Sequence, residues 1–332
     1  SLSVLETKGE AAIGHIADVS YSVSSTLASD DSGEIARRAV LQAHLQRMGV
    51  AAQLADGYLP NTTRVLYEHA AQPWVSVIVP TKDRIEVLEP CINGLLHKTA
   101  YSNLEIIIVD NQSSDPDVLD YLNEMATQHA DHLRVLRFPQ AFNFAAICNL
   151  GAQQARGDYI LFMNNDVHVV QSEWLNRMLQ HAQRPEVGIV GARLIFPETG
   201  KLQHAGMVLG LAEVADHPYF QQLGIDTPGY MGRTHVDQNV SAVTGACMLV
   251  RKAVYEEVGG MDEHTFSHLY GDVDFCLKAG RQGYKIVWTP YATLVHHNAA
   301  TRQREELDLS FKAKWHEQTV KETHAMFERW LP

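Results

Sequence analysis

Between residues 74 and 192, short apolar runs alternate with longer segments in which apolar residues recur at helical spacing. Strands that alternate with helices predict an α/β fold with a mostly parallel, Rossmann-like sheet and helices on both faces. Asp115 and Ser172 are predicted helix caps, and Pro90 is placed in the first turn of its helix. The predicted strands are 75–79, 104–109, 133–136, 159–163 and 187–190, and the predicted helices are 87–97, 143–156, 173–183 and one that starts at Pro116.

The segments on either side have a different pattern. A helix is predicted over 34–48, and a long amphipathic helix over 305–330. We therefore expect an N-terminal helical and loop extension, an α/β domain in two halves, and a C-terminal helix, with bounds of 1–73, 74–192, 193–302 and 303–332. In the second half, the spacing predicts strands near 207–211, 246–250, 286–288 and 293–295 and a helix over 272–282.

Composition argues against several classes of function. The net charge is −12, and no block of Lys and Arg occurs, which argues against a nucleic-acid partner. No apolar run approaches the roughly 20 residues that a transmembrane helix needs, and no signal peptide is recognisable. Four widely spaced cysteines without a CxxC pair are predicted to be reduced core thiols, which favours a cytoplasmic location. Because the first residue is Ser, we expect a domain cut from a longer protein.

Polar residues follow three of the predicted strands. These segments begin at Pro80-Thr81, at Asp110 and at Asn164-Asn165-Asp166. Ligands of open parallel sheets bind beyond the carboxyl ends of the strands, so these residues are expected to converge on one edge. Each segment alone is also typical of a turn. A carboxylate at the end of a buried strand suits Mg²⁺ or Mn²⁺, which take one or two carboxylates plus substrate phosphates.

Six segments, in order, resemble family 2 glycosyltransferases, and in particular bacterial enzymes that build O-antigens and other surface polysaccharides, including rhamnosyltransferases. Three of them resemble the nucleotide-sugar half: VSVIVPTKDR (75–84), LEIIIVDNQSSD (104–115) and ARGDYILFMNNDVHV (155–169). Three resemble the acceptor, catalytic-base and metal segments: VTGACMLVRKAVYEEVGGMDE (243–263), YGDVDFCLKAGRQGYKIVWTP (270–290) and LVHHNAATR (294–302). The resemblance implies the GT-A fold and transfer of a sugar from a nucleotide diphosphate, UDP- or dTDP-linked, onto a saccharide.

The resemblance also assigns residues to the donor and the metal. The Asp-x-Asp metal motif corresponds to Asn164-Asn165-Asp166, which leaves Asp166 as the acidic ligand of Mn²⁺ or Mg²⁺. His296 is assigned as the histidine that completes the metal site, with His297 as its neighbour. Arg302 is a candidate diphosphate clamp, since guanidinium matches phosphate oxygens. The donor-nucleotide residues are then Pro80, Thr81, Asp83, Asp110, Asn149, Asn164, Asn165 and Arg302.

On the acceptor side, Asp272 corresponds to the general base of the family. It lies at the start of a predicted helix, where the helix dipole favours the ionised carboxylate. Gly245, Ala246 and Asp274 are assigned to the acceptor. The implied reaction is a single displacement that inverts the anomeric carbon.

An alternative stays open, a non-catalytic domain that binds carbohydrate or nucleotide sugar within a larger polysaccharide-assembly protein. A sugar-phosphate nucleotidyltransferase or an NAD-dependent oxidoreductase would need a Gly-rich loop after the first strand, and the chain has Pro80-Thr81-Lys82-Asp83 there. The expected partners are a nucleotide sugar and a saccharide or lipid-linked saccharide. The expected location includes the inner face of the cytoplasmic membrane, without a transmembrane segment.

Overall fold

The computed structural model describes residues 31–211, 214–297 and 309–331. Two compact units divide between Glu68 and His69, and each is described by itself. In the first unit, helix α1 (Asp31–Arg47) precedes an antiparallel hairpin of β1 (Ala52–Asp56) and β2 (Thr63–Tyr67). The helix is predicted from its apolar spacing, whereas the hairpin is not predicted. Every residue of β2 is half-buried, so the strand has no buried-and-exposed alternation to mark it.

The second unit contains alternating strands and helices up to residue 195 and a more irregular region beyond it. Its strands are β3 (Val75–Thr81), β4 (Leu104–Asp110), β5 (Leu133–Arg137), β6 (Tyr159–Met163), β7 (Val167–Val169), β8 (Val187–Ile195), β9 (Leu202–His204), β10 (Val208–Leu209), β11 (Ala215–Asp216), β12 (Gln238–Asn239), β13 (Cys247–Arg251) and β14 (Lys285–His296). Its helices are α2 (Ile85–His97), α3 (Pro116–Gln128), α4 (Phe144–Gln154), α5 (Trp174–Ala182), α6 (Lys252–Glu257), α7 (Gly271–Arg281) and α8 (Leu309–Trp330).

Ten of these strands form one mixed sheet. The strand order is β12-β14-β8-β13-β6-β3-β4-β5, with β7 paired to β14 and β9 paired to β8. Strands β6, β3, β4 and β5 are parallel neighbours, and β8 is parallel to β14. Strand β13 is antiparallel to both β6 and β8, and so joins the two parallel parts. The predicted α/β fold with a mostly parallel sheet is confirmed.

Both faces of the sheet are covered, as the apolar strands require. In β4, Ile106 and Ile108 pack on one face with α2 and α3, whereas Ile107 and Val109 pack on the other with α4 and α7. All seven residues of β4 are buried. A strand that is buried on both faces has no polar side, which is why its sequence is a continuous apolar run.

Three details differ from the sequence prediction. Helix α2 begins at Ile85, so Pro90 lies inside the helix rather than in its first turn. Ser172 does not cap α5, which follows Glu173 and has no side-chain cap. The strands predicted at 286–288 and 293–295 are a single strand, β14, whose register with β8 shifts between Thr289 and Thr293. The cap at Asp115 is confirmed, since its carboxylate accepts from the Asp117 N–H at 3.0 Å.

The four cysteines are buried free thiols, as predicted. Burial raises the pKa of each thiol, and the neutral thiol is therefore favoured. Among the residues that the structure describes, no helix combines the length and apolar character needed to cross a bilayer.

Candidate active site

Three strand ends meet at one edge of the sheet. Strands β3, β4 and β6 are parallel neighbours, and Thr81 at the end of β3 pairs with Asp110 at the end of β4. Asn165, which follows β6, donates from Nδ2 to the Thr81 hydroxyl at 2.9 Å. The predicted convergence of these strand ends is confirmed, because the carboxyl ends of neighbouring parallel strands share one edge.

Asp110 is held in a fixed orientation at this edge. Its side chain is buried, one oxygen accepts from the Ser113 N–H at 3.2 Å, and the other accepts from the Arg137 guanidinium at 2.5 Å. Arg137 is half-exposed at the end of β5 and was not identified from the sequence. Its relation to Asp110 follows from the β4–β5 register, in which the two residues are partners.

Asp83 shapes the turn that follows β3. One oxygen of its carboxylate accepts from the N–H groups of Ser114 at 2.7 Å and Asp115 at 3.0 Å. The Asp83 N–H donates to the Ser113 hydroxyl at 2.8 Å. These bonds join the loop after β3 to the loop after β4 and fix the shape of the edge where a nucleotide would lie. Pro80 is the half-buried residue before Thr81 in β3.

Asp166 and His296 face each other in a buried pair. Asp166 Oδ1 lies 3.0 Å from His296 Nε2. The other ring nitrogen, Nδ1, lies 2.6 Å from Oε1 of the buried Gln203 on β9. Asn164 Nδ2 also approaches Nε2, at 3.5 Å. The pairing of β7 with β14 produces this contact, since it places Val167 opposite His296.

The environment of Asp166 favours the carboxylate. Burial raises the pKa of this group, but the hydrogen bond and charge of His296 outweigh burial, and the net pKa lies below its ordinary value. Asp166 is therefore ionised at neutral pH and is available as a ligand.

His297 faces a different partner from His296. Its Nε2 lies 3.0 Å from His168 Nδ1, and the two rings are 4.3 Å apart between centroids. The His297 N–H donates to the Asp166 carbonyl at 3.1 Å. His297 therefore supports the strand pair, and His296 is the histidine that faces the Asp166 carboxylate.

The arrangement of Asp166 and His296 fits a divalent cation. Gln203 Oε1 can only accept, so His296 Nδ1 donates to it and Nε2 is the ring nitrogen that faces Asp166 Oδ1 at 3.0 Å. A proton at Nε2 makes this contact an ion pair, and a cation in place of that proton would take Oδ1 and Nε2 as ligands. One carboxylate oxygen and one imidazole nitrogen suit Mn²⁺ better than Mg²⁺. Within the described ranges no group of three or more His, Cys, Asp or Glu side chains is placed to hold a metal. Mg²⁺ and Mn²⁺ sites commonly combine one or two carboxylates with substrate phosphates.

Asp272 is connected to the same edge through Gly245 and Ala246, the two residues that directly precede β13. Asp272 Oδ2 accepts from the Gly245 N–H at 2.7 Å. The next residue, Ala246, accepts through its carbonyl from the Asn164 N–H at 3.0 Å. Two backbone steps therefore join the Asp272 carboxylate to the Asn164-Asn165-Asp166 segment. As predicted, Asp272 lies in the first turn of a helix, α7.

Asp274, assigned to the acceptor side from the sequence, has partners within the protein. Its side chain has no exposed surface, and Oδ1 accepts from Arg329 and from the Trp330 indole, both at 2.9 Å. Lys278 lies 3.8 Å from Oδ2. Two residues after Asp272 on a helix, Asp274 points away from it and holds α8, and contact of Asp274 with an acceptor stays a prediction.

The two remaining donor-side residues are Asn149, which has partners within the protein, and Arg302. Asn149 makes hydrogen bonds within the protein, to the Met261 backbone at 3.0 and 3.1 Å, to Glu263 Oε2 at 2.6 Å and to the Tyr255 hydroxyl. These bonds hold the 261–263 loop against α4, and nucleotide contact by Asn149 stays a prediction. Arg302 lies outside the described residues.

Gln203 was missed by the sequence analysis, and so was the histidine pair beside it. His204 Nδ1 lies 2.9 Å from His217 Nδ1; His204 is buried and His217 is half-buried. Burial lowers the pKa of both imidazoles. Gln203 and His204 lie in a strand of three residues, which has too little periodicity to be recognised from the sequence.

Comparison with known proteins identifies the family of the chain. A family model described as glycosyl transferase family 2 matches residues 76–259. The chain belongs to the family 2 glycosyltransferases. An O-antigen biosynthesis protein, RfbC of Myxococcus xanthus, is 37% identical over 91% of the chain, and an uncharacterized protein of Sinorhizobium fredii is 38% identical over 92%. The chain spans only 24% and 34% of the lengths of these two relatives.

Solved structures show the same fold at low identity. A Pyrobaculum calidifontis mannosyltransferase, solved with GDP-Man and Mn²⁺, aligns with a TM-score of 0.55 at 15% identity and covers 88% of this chain and 72% of its own. This likeness concerns the fold, and it confirms that the glycosyltransferase has the GT-A fold.

Proposed function

We propose that this glycosyltransferase transfers a sugar from a UDP- or dTDP-linked donor to a saccharide, with inversion, during synthesis of a bacterial surface polysaccharide. The observation that carries the proposal is the link between Asp272 and the Asp166–His296 pair, since Gly245 and Ala246 bond to Asp272 and Asn164 respectively. A single displacement needs a base on one side of the sugar and a charged diphosphate on the other. Asp272 would serve as the base, and the Asp166–His296 pair, at the same edge of the sheet, would lie beside the diphosphate. The 37% identity to an O-antigen biosynthesis protein supports the polysaccharide context.

The donor would lie across the ends of β3 and β4. Asp110, fixed by Arg137, accepts from the base or ribose, and Thr81 and Asn165 lie beside it. Asp166 and His296 would hold the cation. When bound, a divalent cation neutralises the charge that develops on the departing nucleotide diphosphate.

Asp272 carries the proton transfer. Its carboxylate accepts the proton of the acceptor hydroxyl while that oxygen forms a bond to the anomeric carbon. The bond between the anomeric carbon and the diphosphate oxygen breaks on the opposite face, and the nucleotide diphosphate leaves with the electron pair. One displacement inverts the configuration. The acceptor is a saccharide, free or linked to a lipid at the inner membrane face.

A screen of nucleotide sugars tests the proposal. UDP- and dTDP-sugars are incubated with the protein and candidate saccharides, with Mn²⁺ or with EDTA, and release of nucleotide diphosphate is measured. We expect release with one donor class, loss of release in EDTA, and a product of inverted anomeric configuration by NMR. Binding of a nucleotide sugar without release or transfer would favour the alternative, a non-catalytic binding domain. A product of retained configuration would contradict the single displacement.

A further inference from the structure

Helix α8 inserts a buried carboxylate into the loop that precedes Asp272. The Glu322 side chain has no exposed surface. Its two oxygens accept from three consecutive backbone N–H groups, those of Ser267 at 2.9 Å, His268 at 3.1 Å and Leu269 at 2.6 Å. Three N–H groups in succession that point at one carboxylate fix both the position and the orientation of this loop.

The same carboxylate has further donors, and the loop has a second neighbour. Glu322 Oε1 also accepts from the Ser267 hydroxyl at 3.0 Å and from Gln318 Nε2 at 2.6 Å. On the other side, the Ser267 carbonyl accepts from the Phe144 N–H at 2.8 Å. Phe144 and Asp272 both lie beside Gly245. A Cβ placed on Gly245 would be 3.2 Å from the Phe144 ring and 3.4 Å from Asp272 Cβ. The loop is therefore held between α8 and the residues around the base.

A second contact of α8 holds the two ends of the same segment. Arg329 donates to Asp262 Oδ2 and Asp274 Oδ1, each at 2.9 Å. Between these anchors, Tyr270 precedes α7 in a left-handed conformation, with φ 58° and ψ 0°. A non-glycine residue in that region costs free energy and persists only where its surroundings over-determine it. The anchors at Glu322 and Arg329 provide that constraint.

A carboxylate at position 322 loses its hydration when it is buried, and this costs free energy. Burying a charge without partners is strongly unfavourable, whereas an apolar side chain of similar size would pack without that cost. An apolar residue would leave the three N–H groups without their acceptor, however. The contribution of Glu322 is therefore to fix the position of the 267–269 backbone, and not to bury apolar surface.

We infer that Glu322 is a positioning residue for the proposed base. Through the 267–269 backbone, Glu322 places the Asp272 carboxylate against Gly245 and the acceptor hydroxyl. The inference rests on the proposed role of Asp272. Both the Asp272 segment and α8 lie beyond residues 76–259, the part of the chain that the family model matches. A base that is displaced by about 1 Å loses on the order of 10²-fold in rate, so a partial displacement is expected to cost about 10-fold.

A double-mutant cycle separates positioning from general stability. We expect Glu322→Gln to lower kcat about 10-fold, with the Kd for UDP or dTDP within about twofold of wild type. In an Asp272→Asn background the same change is expected to cost less than about twofold, because there is no base left to position. The matched control is Glu328→Gln, an exposed glutamate on the same helix, which should leave kcat unchanged.

Amide hydrogen exchange supplies a readout that does not depend on turnover. Peptides that cover 267–269 are expected to exchange faster in Glu322→Gln than in Glu328→Gln. If Glu322→Gln does not accumulate as folded protein, Glu322→Asp replaces it in both measurements, since it keeps the charge and shortens the reach. Faster exchange with wild-type kcat, or an equal loss of kcat in both backgrounds, would overturn the inference. Absence of transfer by the wild-type protein would instead remove the proposed function, and the inference with it.

Discussion

The carboxylate of Asp272 has an orientation set by two backbone N–H groups. Oδ2 accepts from Gly245 at 2.7 Å, and Oδ1 accepts from Val273 at 2.8 Å. Each oxygen keeps a further lone pair, so the group can still accept a proton from a hydroxyl. This combination of a fixed orientation and a remaining acceptor site is what a general base requires.

Replacing Asp272 by Asn tests the assigned base. The amide cannot take the proton, and we expect kcat to fall by at least ~10²-fold, the usual size of a general-base contribution. The Kd for the nucleotide should stay near that of wild type, because the proposed role of Asp272 is toward the acceptor and not the donor. Initial rates at saturating donor, with titration calorimetry of UDP or dTDP, measure both. Turnover within a few-fold of wild type would rule out the assignment.

Gln203 orients His296, and its loss should appear in metal affinity. Gln203→Leu removes the acceptor for the His296 Nδ1–H, so the ring is free to rotate and Nε2 no longer faces Asp166. Loss of such a supporting partner typically costs about 10–100-fold in metal affinity. Titration of Mn²⁺ by electron paramagnetic resonance, in the presence of UDP, measures the change. Gln203→Glu keeps an acceptor and should restore most of the affinity, and equal affinity of the Leu variant would contradict the role.

At the scale of elements, the loop before α7 is stabilised by its ion pair with α8, and this stability depends on pH. Burial raises the pKa of Asp262, but hydrogen bonds from Thr265 and Arg329 outweigh it and lower the pKa to about 2. A carboxylate whose folded pKa lies below the unfolded value of about 3.9 adds stability above that value. The added stability is lost as the pH falls through the folded pKa.

Urea unfolding of Asp262→Asn at several pH values tests this linkage. The free energy of unfolding should be lower than that of wild type by a constant amount above about pH 5, and the difference should narrow between about pH 4 and pH 2. Asp131→Asn, at an exposed position after α3, is the control for removal of one negative charge. A difference that does not change with pH would show that the Asp262 carboxylate contributes through packing alone.

Elements differed in how well the sequence predicted them, and the reason is physical. The strands that lead to Thr81, Asp110 and the Asn164–Asp166 segment have apolar runs, because both of their faces are buried, and polar residues mark where they end. Strand β9 and the β2 hairpin lack such a signal. Gln203 reaches His296, and Arg137 reaches Asp110, through strand pairing, so these contacts depend on register and not on local sequence.

At the scale of the whole molecule, the candidate site draws on one unit but on distant parts of it. The metal pair joins residues 166 and 296, the base is at 272, and the helix that holds its loop begins at 309. The order of the ten-stranded sheet brings these segments together, since β13 lies between the two parallel parts and begins directly after Gly245 and Ala246. A ligand that bridges them should stabilise the unit as a whole.

Thermal unfolding measures that bridging. At a free concentration about 100 times its Kd, a ligand adds about 2.7 kcal/mol to the stability of the folded state. For a domain of this size that corresponds to a rise in Tm of about 5–10 °C. We expect the full rise in Tm only with UDP or dTDP and Mn²⁺ together. Among the described residues, Asp166 and His296 alone offer Mn²⁺ only two ligand atoms, and the diphosphate would add others. Asp166→Asn should abolish the increment due to Mn²⁺ but keep the smaller one due to nucleotide, since Asp110 and Thr81 are unchanged. An undiminished Mn²⁺ increment in Asp166→Asn would place the cation elsewhere.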